Sequence, residues 1–103
     1  MAITAISQSV DITVSSTLTA VGAAIAADAK VNVYIVNKTG NAGNFRLAIS
    51  PASPLGGEYL YYDFPLKSSG TFIAADVYAK ATDKVWIYCP TGWSARVDGA
   101  TLL

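Results

Sequence analysis

The sequence contains no histidine, the side chain that most often serves as a general acid or base and as a metal ligand. A Ser-His-Asp triad is therefore excluded. Glu58 and Asp63 flank one predicted strand at an odd spacing, so they face opposite sides and cannot pair as acid and base. The chain has no Asp-x-Asp-x-Asp-Gly run for calcium and no glycine-rich phosphate loop before a helix. The sequence predicts a protein that is not an enzyme and holds neither a metal nor a cofactor.

Charged residues are scarce as well. They make up 14% of the 103 residues, against about 25% in ordinary soluble domains. Seven Lys and Arg balance seven Asp and Glu, so the formal net charge is zero and no basic stripe is available to neutralise nucleic-acid phosphates. A neutral, charge-poor surface favours association. We therefore expect a homo-oligomer or a complex with a partner protein; the alternative is a monomer with a Ser/Thr/Ala-rich surface.

Cysteine and long apolar runs are nearly absent. Cys89 is the single cysteine, which excludes an intrachain disulfide, and its alternation with Val85 and Ile87 predicts a small buried side chain. The longest apolar run, from Ala20 to Ala27, is far shorter than the about 20 residues that span a bilayer. The N-terminus has no basic segment of the kind that begins a signal peptide. No membrane partner is expected.

The chain does contain many short segments in which apolar and polar residues alternate. The first clear pair, Val31 to Asn37 and Asn44 to Ser50, is separated by a glycine-rich turn. Period-two alternation with β-branched and aromatic residues is typical of half-buried strands. About eight such strands predict a single all-β sandwich, either jelly-roll or immunoglobulin-like. The residues of inward parity predict this core: Val31, Val33, Ile35, Phe45, Leu47, Ile49, Leu60, Val85, Ile87 and Val97.

The N-terminal part of the chain is less regular. Alternation from Val10 to Val14 predicts a first strand, Thr17 to Val21 predicts a short second one, and Gly22 to Lys30 is either a loop or one helical turn. The first nine residues are uncharged, and they form either a disordered tail or an arm that adds a strand to a neighbouring sheet. We therefore divide the chain into an N-terminal arm with the first strand, residues 1–14, and a β-sandwich domain, residues 15–103.

Tyrosines and tryptophans are frequent in the second half of the chain. Tyr59 and Tyr61 are predicted to share one face of a strand, and Trp86 and Tyr88 to share a face of another. Such rings either stack on sugars, as in carbohydrate-binding modules, or pack across strands and in subunit interfaces, which is the interpretation we favour. From the arm and the aromatic strands together, the residues predicted to contact a partner are Ile3, Ile6, Val10, Ile12, Tyr59, Tyr61, Trp86 and Trp93.

Two arginines lie in the middle of predicted strands. Arg46 and Arg96 carry charge opposite to that of Glu58 and Asp63. We expect ion pairs between strands or between subunits from these groups.

Several segments follow one another in a recognisable order. Val31 to Asn37 has the form V-x-V-x-(I/V)-(V/C)-N, Arg46 to Ser50 reads R-L-A-I-S, and a proline-rich loop leads to Glu58-Tyr59-Leu60-Tyr61-Tyr62-Asp63. Lys84 to Tyr88 and Ser94 to Gly99 fit an ending K-V-x-V-x … S-V-R-V-x-G. Over roughly residues 17–99 this order resembles small virion structural proteins of tailed bacteriophages. The chain departs from that pattern between Thr71 and Lys80.

The resemblance implies a structural role in a virus particle. Head decoration (cement) proteins of this kind are small β-sandwiches, commonly trimers, that bind the major capsid protein and clamp neighbouring capsomers. The small size, the zero net charge and the apolar N-terminal residues favour this function, with the virion head surface as the location. A tail, baseplate or fibre-adaptor protein and a glycan-binding module remain the alternatives.

Overall fold

The computed structural model describes residues 4–15 and 17–102 of the chain. These residues form eight strands and a short 3-10 helix at Gly56–Glu58. The strands are β1 (Ala5–Asp11), β2 (Thr19–Ala20), β3 (Ala29–Asn37), β4 (Gly43–Ser50), β5 (Tyr59–Leu66), β6 (Thr71–Ala79), β7 (Lys84–Tyr88) and β8 (Trp93–Thr101). In the described part of the chain, no helix has the length and apolar character needed to cross a membrane.

The strands form two antiparallel sheets of four. The order is β1-β8-β3-β6 in the first sheet and β2-β7-β4-β5 in the second. Strands β1 to β4 thus pair with β8 to β5 in reverse order, as if one long hairpin were wrapped into two layers. This is the strand order of a jelly roll. The predicted all-β sandwich is confirmed, and it has the jelly-roll arrangement.

The core lies between the inward faces of the two sheets. Val31, Val33 and Ile35 of β3 are at most 1% exposed, and Phe45 and Leu47 of β4 are fully buried in the opposite sheet. Eight of the ten predicted core residues are buried and Ile49 is partly buried against them. At about 25 cal/mol per Å² of apolar surface, this burial is the main contribution that holds the sheets together.

Leu60 is the predicted core residue that the structure places on the surface, with 48% of it exposed. On β4, the adjacent residues Leu47 and Ala48 pair with Tyr61 and Tyr59, so Leu60 is an extra residue on β5. Such a β-bulge reverses the inward and outward alternation. The prediction that Tyr59 and Tyr61 share a face is therefore wrong.

Residues 4–12, which were predicted as part of an N-terminal arm, belong to the sandwich. Strand β1 pairs along its whole length with β8 of the same chain and ends at Asp11, before the predicted strand from Val10 to Val14 would end. Ile6 and Val10 pack against the core from this edge, and Ile12 is 3% exposed. The segment from Gly22 to Lys30 contains no helical turn.

Asn37 ends β3 and is fully buried. Its side-chain Nδ2 donates to the carbonyl oxygens of Asn41, at 2.8 Å, and Lys67, at 3.1 Å, while its Oδ1 accepts from the N–H of Thr39 at 2.9 Å. A buried amide with all its groups bonded costs little to bury. Asn37 therefore fixes the turn between β5 and β6 against the turn that follows β3.

Candidate interaction surfaces

The sandwich has two lateral sides with different edge strands. Strands β1 and β2 lie at one end of the two sheet orders, and β5 and β6 lie at the other. On the first side, the Gln8 side chain of β1 donates to the carbonyl oxygen of Ala23, just after β2. On the second, Phe64 of β5 and Phe72 of β6 have ring centroids 5.3 Å apart. We call these the β1–β2 side and the β5–β6 side.

An aromatic cluster closes the sandwich at the β5–β6 side. The ring of Phe72, on the first sheet, lies 4.9 Å from that of Phe45 and 4.8 Å from that of Tyr61, both on the second sheet. Phe64 joins the cluster and stays 39% exposed. Tilted and edge-to-face aromatic pairs are favourable beyond the area they bury. The cluster therefore joins the two edge strands and also presents part of its surface to solvent.

Exposed large apolar residues are concentrated on the same side. Among the described residues there are eight of them, and five belong to β5 or β6. These five are Leu60, Tyr62, Phe64, Ile73 and Tyr78. Single exposed apolar residues are common, whereas a concentration of them on neighbouring elements marks interaction sites. The β5–β6 side is therefore the best candidate for side-chain contact with a partner.

Arg46 is the centre of a second group, on the outer face of the β2-β7-β4-β5 sheet. Its guanidinium lies 4.0 Å from the ring centre of Tyr62 and 4.4 Å from that of Tyr88. Its Nε donates to Oδ1 of Asp63 at 2.7 Å, and this hydrogen bond raises the pKa of Arg46. The predicted ion pair between strands is confirmed here. Arg96 instead pairs with Asp98 of its own strand at 3.5 Å.

The aromatic rings around Arg46 are engaged with one another. Arg46 covers one face of Tyr62 and of Tyr88, and Tyr59 stands edge-on to Tyr62 at 88°. Trp86 lies on the same outer face as Tyr88, as predicted, and its indole N–H donates to the carbonyl oxygen of Ser50 at 3.0 Å. Cation–π and edge contacts of this kind stabilise the sheet. The arrangement favours packing over a flat platform for sugars.

The eight residues predicted from the sequence to contact a partner do not form one surface. Ile12 and Trp93 are core residues, 3% and 1% exposed, and offer no surface to a partner. Ile6 and Val10 line the inner side of β1, and Tyr61 belongs to the aromatic cluster. Tyr59 and Trp86 are partly exposed on the outer face of the second sheet. Ile3 lies outside the described residues.

Most of the exposed residues of the β5–β6 side are not among those predicted from the sequence to contact a partner. Leu60 and Tyr62 share one parity in the sequence, which was the available signal for a common position outside the core. The irregular pairing of β5 with β4 obscured it. Ile73 carried no such signal. It stands between two other apolar residues, Phe72 and Ala74, so the sequence does not tell which of the three faces inward.

The outer face of the first sheet has a shallow depression of about 400 Å³ beside Tyr34 and Arg96. The carboxylate in its lining, Asp11, is ion-paired with Lys38 at 3.2 Å. Burial raises the pKa of the Cys89 thiol to about 12, so this cysteine is not a nucleophile at neutral pH. The described residues contain no group of three or more Cys, Asp or Glu able to hold a metal ion.

The chain matches no described protein family, no curated protein and no solved structure.

Proposed function

We propose that this protein is a non-enzymatic structural component of a phage virion, a decoration protein that binds the major capsid protein and reinforces the head. The observation that carries the proposal is the exposed apolar and aromatic surface of the β5–β6 side on a sandwich of zero net charge. Such a surface favours burial against another protein and does not depend on charge steering.

The architecture agrees with this proposal. Eight-stranded jelly rolls are found in viral capsid domains, although they are also found in lectins and cupins, so the fold alone is support by analogy. A bridging protein needs two separate surfaces, and the two lateral sides of this sandwich differ in their chemistry. Repeated on one shell, many weak contacts act together, which suits reinforcement against internal pressure. Self-association is part of the proposal. The resemblance implies three copies, and the number of copies is measured together with the strand pairing argued below.

The location can be tested on virions of the phage whose genome encodes this chain. Heads and tails are separated after mild dissociation, and the proteins of each fraction are identified and counted by mass spectrometry. The proposal expects the chain in the head fraction, at a copy number that scales with that of the major capsid protein. Recovery with tails alone would support the tail, baseplate or fibre-adaptor alternative, and absence from both fractions would contradict a virion role.

The binding surface can be tested with heads that lack the protein. Purified variants are mixed with these heads and the bound fraction is measured after sedimentation. We expect Leu60→Ser and Ile73→Ser each to weaken binding about tenfold, since burying such a side chain contributes about 1.5–3 kcal/mol. Val14→Ser is the matched control, because Val14 is 60% exposed but follows β1, on the other side. Equal binding by all three variants would exclude the β5–β6 side as the contact.

The glycan-binding alternative predicts a different result. A glycan array probed with the purified protein would give specific signals that Trp86→Ala or Tyr59→Ala abolishes. Because Arg46 already covers the ring faces of Tyr62 and Tyr88, we expect no specific signal. Specific binding on the array would overturn the packing interpretation of the outer face.

A further inference from the structure

The outer edge of β1 exposes main-chain hydrogen-bonding groups. At one end of the strand, the N–H of Ile12 donates to the carbonyl oxygen of Trp93 at 2.8 Å, and at the other the carbonyl of Thr4 accepts from Thr101 at 2.9 Å. Between these ends the register with β8 runs without a shift. Because bonded residues alternate in an antiparallel pair, Ile6, Gln8 and Val10 also bond to β8. The alternate set, Ala5, Ser7, Ser9 and Asp11, therefore directs its N–H and C=O groups outward.

The other long edge strands carry features that discourage pairing. Asp63 in β5 and Asp76 in β6 have φ of 50° and 54°, which interrupts the extended backbone, and β5 also contains Pro65. Bulges and prolines of this kind protect sheet edges in natural proteins. Strand β1 is regular over Ala5–Asp11, with no proline, and its side chains on the outer face are small apart from Asp11. Among the long edge strands in the described part of the chain, β1 is thus the one that has neither a bulge nor a proline.

We propose that β1 pairs antiparallel with β1 of a second copy of this chain, across a two-fold axis at Gln8, so that two sheets join into one. In this register Ser7 lies opposite Ser9 of the second copy and Ala5 lies opposite Asp11. Every outward-directed residue of β1 then finds a main-chain partner. The interface is isologous, because the same strand contributes both halves. This inference does not depend on what the protein binds in a virion.

The charges and side chains of β1 suit this partner. Asp11 is the charged residue of the strand and is already paired with Lys38 at 3.2 Å, and the two-fold register keeps the two copies of Asp11 at opposite ends. A parallel register would place them side by side, which is unfavourable. A depression of about 250 Å³, walled by Ala24 and Ala26, runs beside residues 4–8. It leaves room for an inward side chain of the added strand, that of Val10 of the second copy, which this register places opposite Ile6.

The test uses the full chain and a proline at an outward position. Ser7→Pro removes an N–H that points away from β8, so the pairing of β1 within the chain is retained, whereas Ser7→Ala leaves every main-chain group in place. Native mass spectrometry and analytical ultracentrifugation over a concentration series give the dissociation constant. We expect a two-chain species for the parent and for Ser7→Ala. For Ser7→Pro we expect the dissociation constant to be at least about tenfold higher.

Amide hydrogen exchange gives a second, position-specific measurement. The N–H groups of Ser7 and Ser9 should exchange quickly in dilute protein and slowly in concentrated protein, and in Ser7→Pro the N–H of Ser9 should exchange quickly at both concentrations. Tryptophan fluorescence, to which the buried Trp93 and the partly exposed Trp86 both contribute, checks that this variant is folded. A monomer at every concentration, a trimer in which Ser7 and Ser9 stay unprotected, or a dimer unaffected by Ser7→Pro would each overturn the proposal.

Discussion

The two lateral sides of the sandwich present different groups to a partner. On the β5–β6 side, Asp63 and Asp76 interrupt both edges, and large apolar side chains such as Leu60 and Ile73 are exposed. On the β1–β2 side, the edge of β1 is regular and its exposed side chains are small. A partner of the first side must recognise side chains, whereas a partner of the second can bind main-chain groups and needs only an extended segment.

This difference indicates two kinds of specificity in one small domain. Contacts between apolar side chains depend on shape and are sensitive to single substitutions. Main-chain pairing depends on register and tolerates most substitutions other than proline. The β5–β6 side therefore suits one dedicated partner protein, and the β1 edge suits a second copy of the chain.

The largest expected effect comes from the aromatic cluster of the β5–β6 side. Phe45→Ala should lower the free energy of unfolding by about 3–5 kcal/mol, because Phe45 is fully buried and contacts Tyr61, Phe64 and Phe72. Urea unfolding followed by fluorescence measures this loss. Phe64→Ala is the control and should cost less, since Phe64 is 39% exposed. A loss for Phe45→Ala no larger than that for Phe64→Ala would mean that Phe45 is not the buried centre of the cluster.

The next effect concerns the backbone of β8, the strand between β1 and β3. Gly99 of β8 lies opposite Ile6 of β1 and Val31 of β3, and a Cβ at Gly99 would overlap the carbonyl oxygen of Lys30. Gly99→Ala should therefore destabilise the protein by about 1–3 kcal/mol, as overpacking typically does. Gly40→Ala is the matched control, because a Cβ there meets nothing within 4 Å. If both variants unfolded at the same urea concentration, close packing of β8 against β3 would be contradicted.

A pH-dependent effect is expected where Asp28 joins the ends of β3 and β6. Asp28 accepts hydrogen bonds from the N–H of Ala81 and from the hydroxyl of Tyr78, both at 2.9 Å, and these lower its pKa below 3.8. A carboxyl with a lowered folded-state pKa stabilises the protein fully above its unfolded pKa and loses this effect as the pH falls through the folded one.

Asp28→Asn should therefore reduce stability at neutral pH and reduce it much less at pH below the folded pKa of Asp28. Urea midpoints at several pH values measure this. The same variant should return the pKa of Tyr78, which the bond to Asp28 raises, toward its ordinary value of 10.0 in an ultraviolet titration. An unchanged tyrosine titration would mean that this hydrogen bond does not form in solution.

The sequence predicts the parts of this fold in which alternation is uninterrupted. Val31, Val33 and Ile35 of β3 and Val85 and Ile87 of β7 are buried as their parity indicates. The prediction fails where one residue is inserted, as at Leu60, because a bulge depends on the pairing with β4 and leaves little trace in the local sequence.

The pairing of strands that are far apart in the chain could not be predicted from the sequence either. Strand β1 has few strongly apolar residues, and it becomes a strand because β8, near the other end of the chain, offers its edge. Prediction of the candidate interaction surface required knowledge of the same strand pairings. The ion pair of Arg46 with Asp63 followed from charge and position in the strands, whereas the exposed β5–β6 side depended on which residues the bulges turn outward.

The smallest expected effect on folding separates the free edge of β1 from its paired edge. In dilute, monomeric protein, Ser7→Pro should change the free energy of unfolding by no more than about 0.5 kcal/mol, because the N–H it removes has no partner within the chain. Gln8→Pro removes an N–H that faces Val97 on β8, and it should cost about 1–3 kcal/mol by leaving a carbonyl of β8 unpaired. Urea unfolding of the two variants side by side measures the difference. If Ser7→Pro were as damaging as Gln8→Pro, the outward groups of β1 would already be in use within the monomer, and no second copy could pair with them.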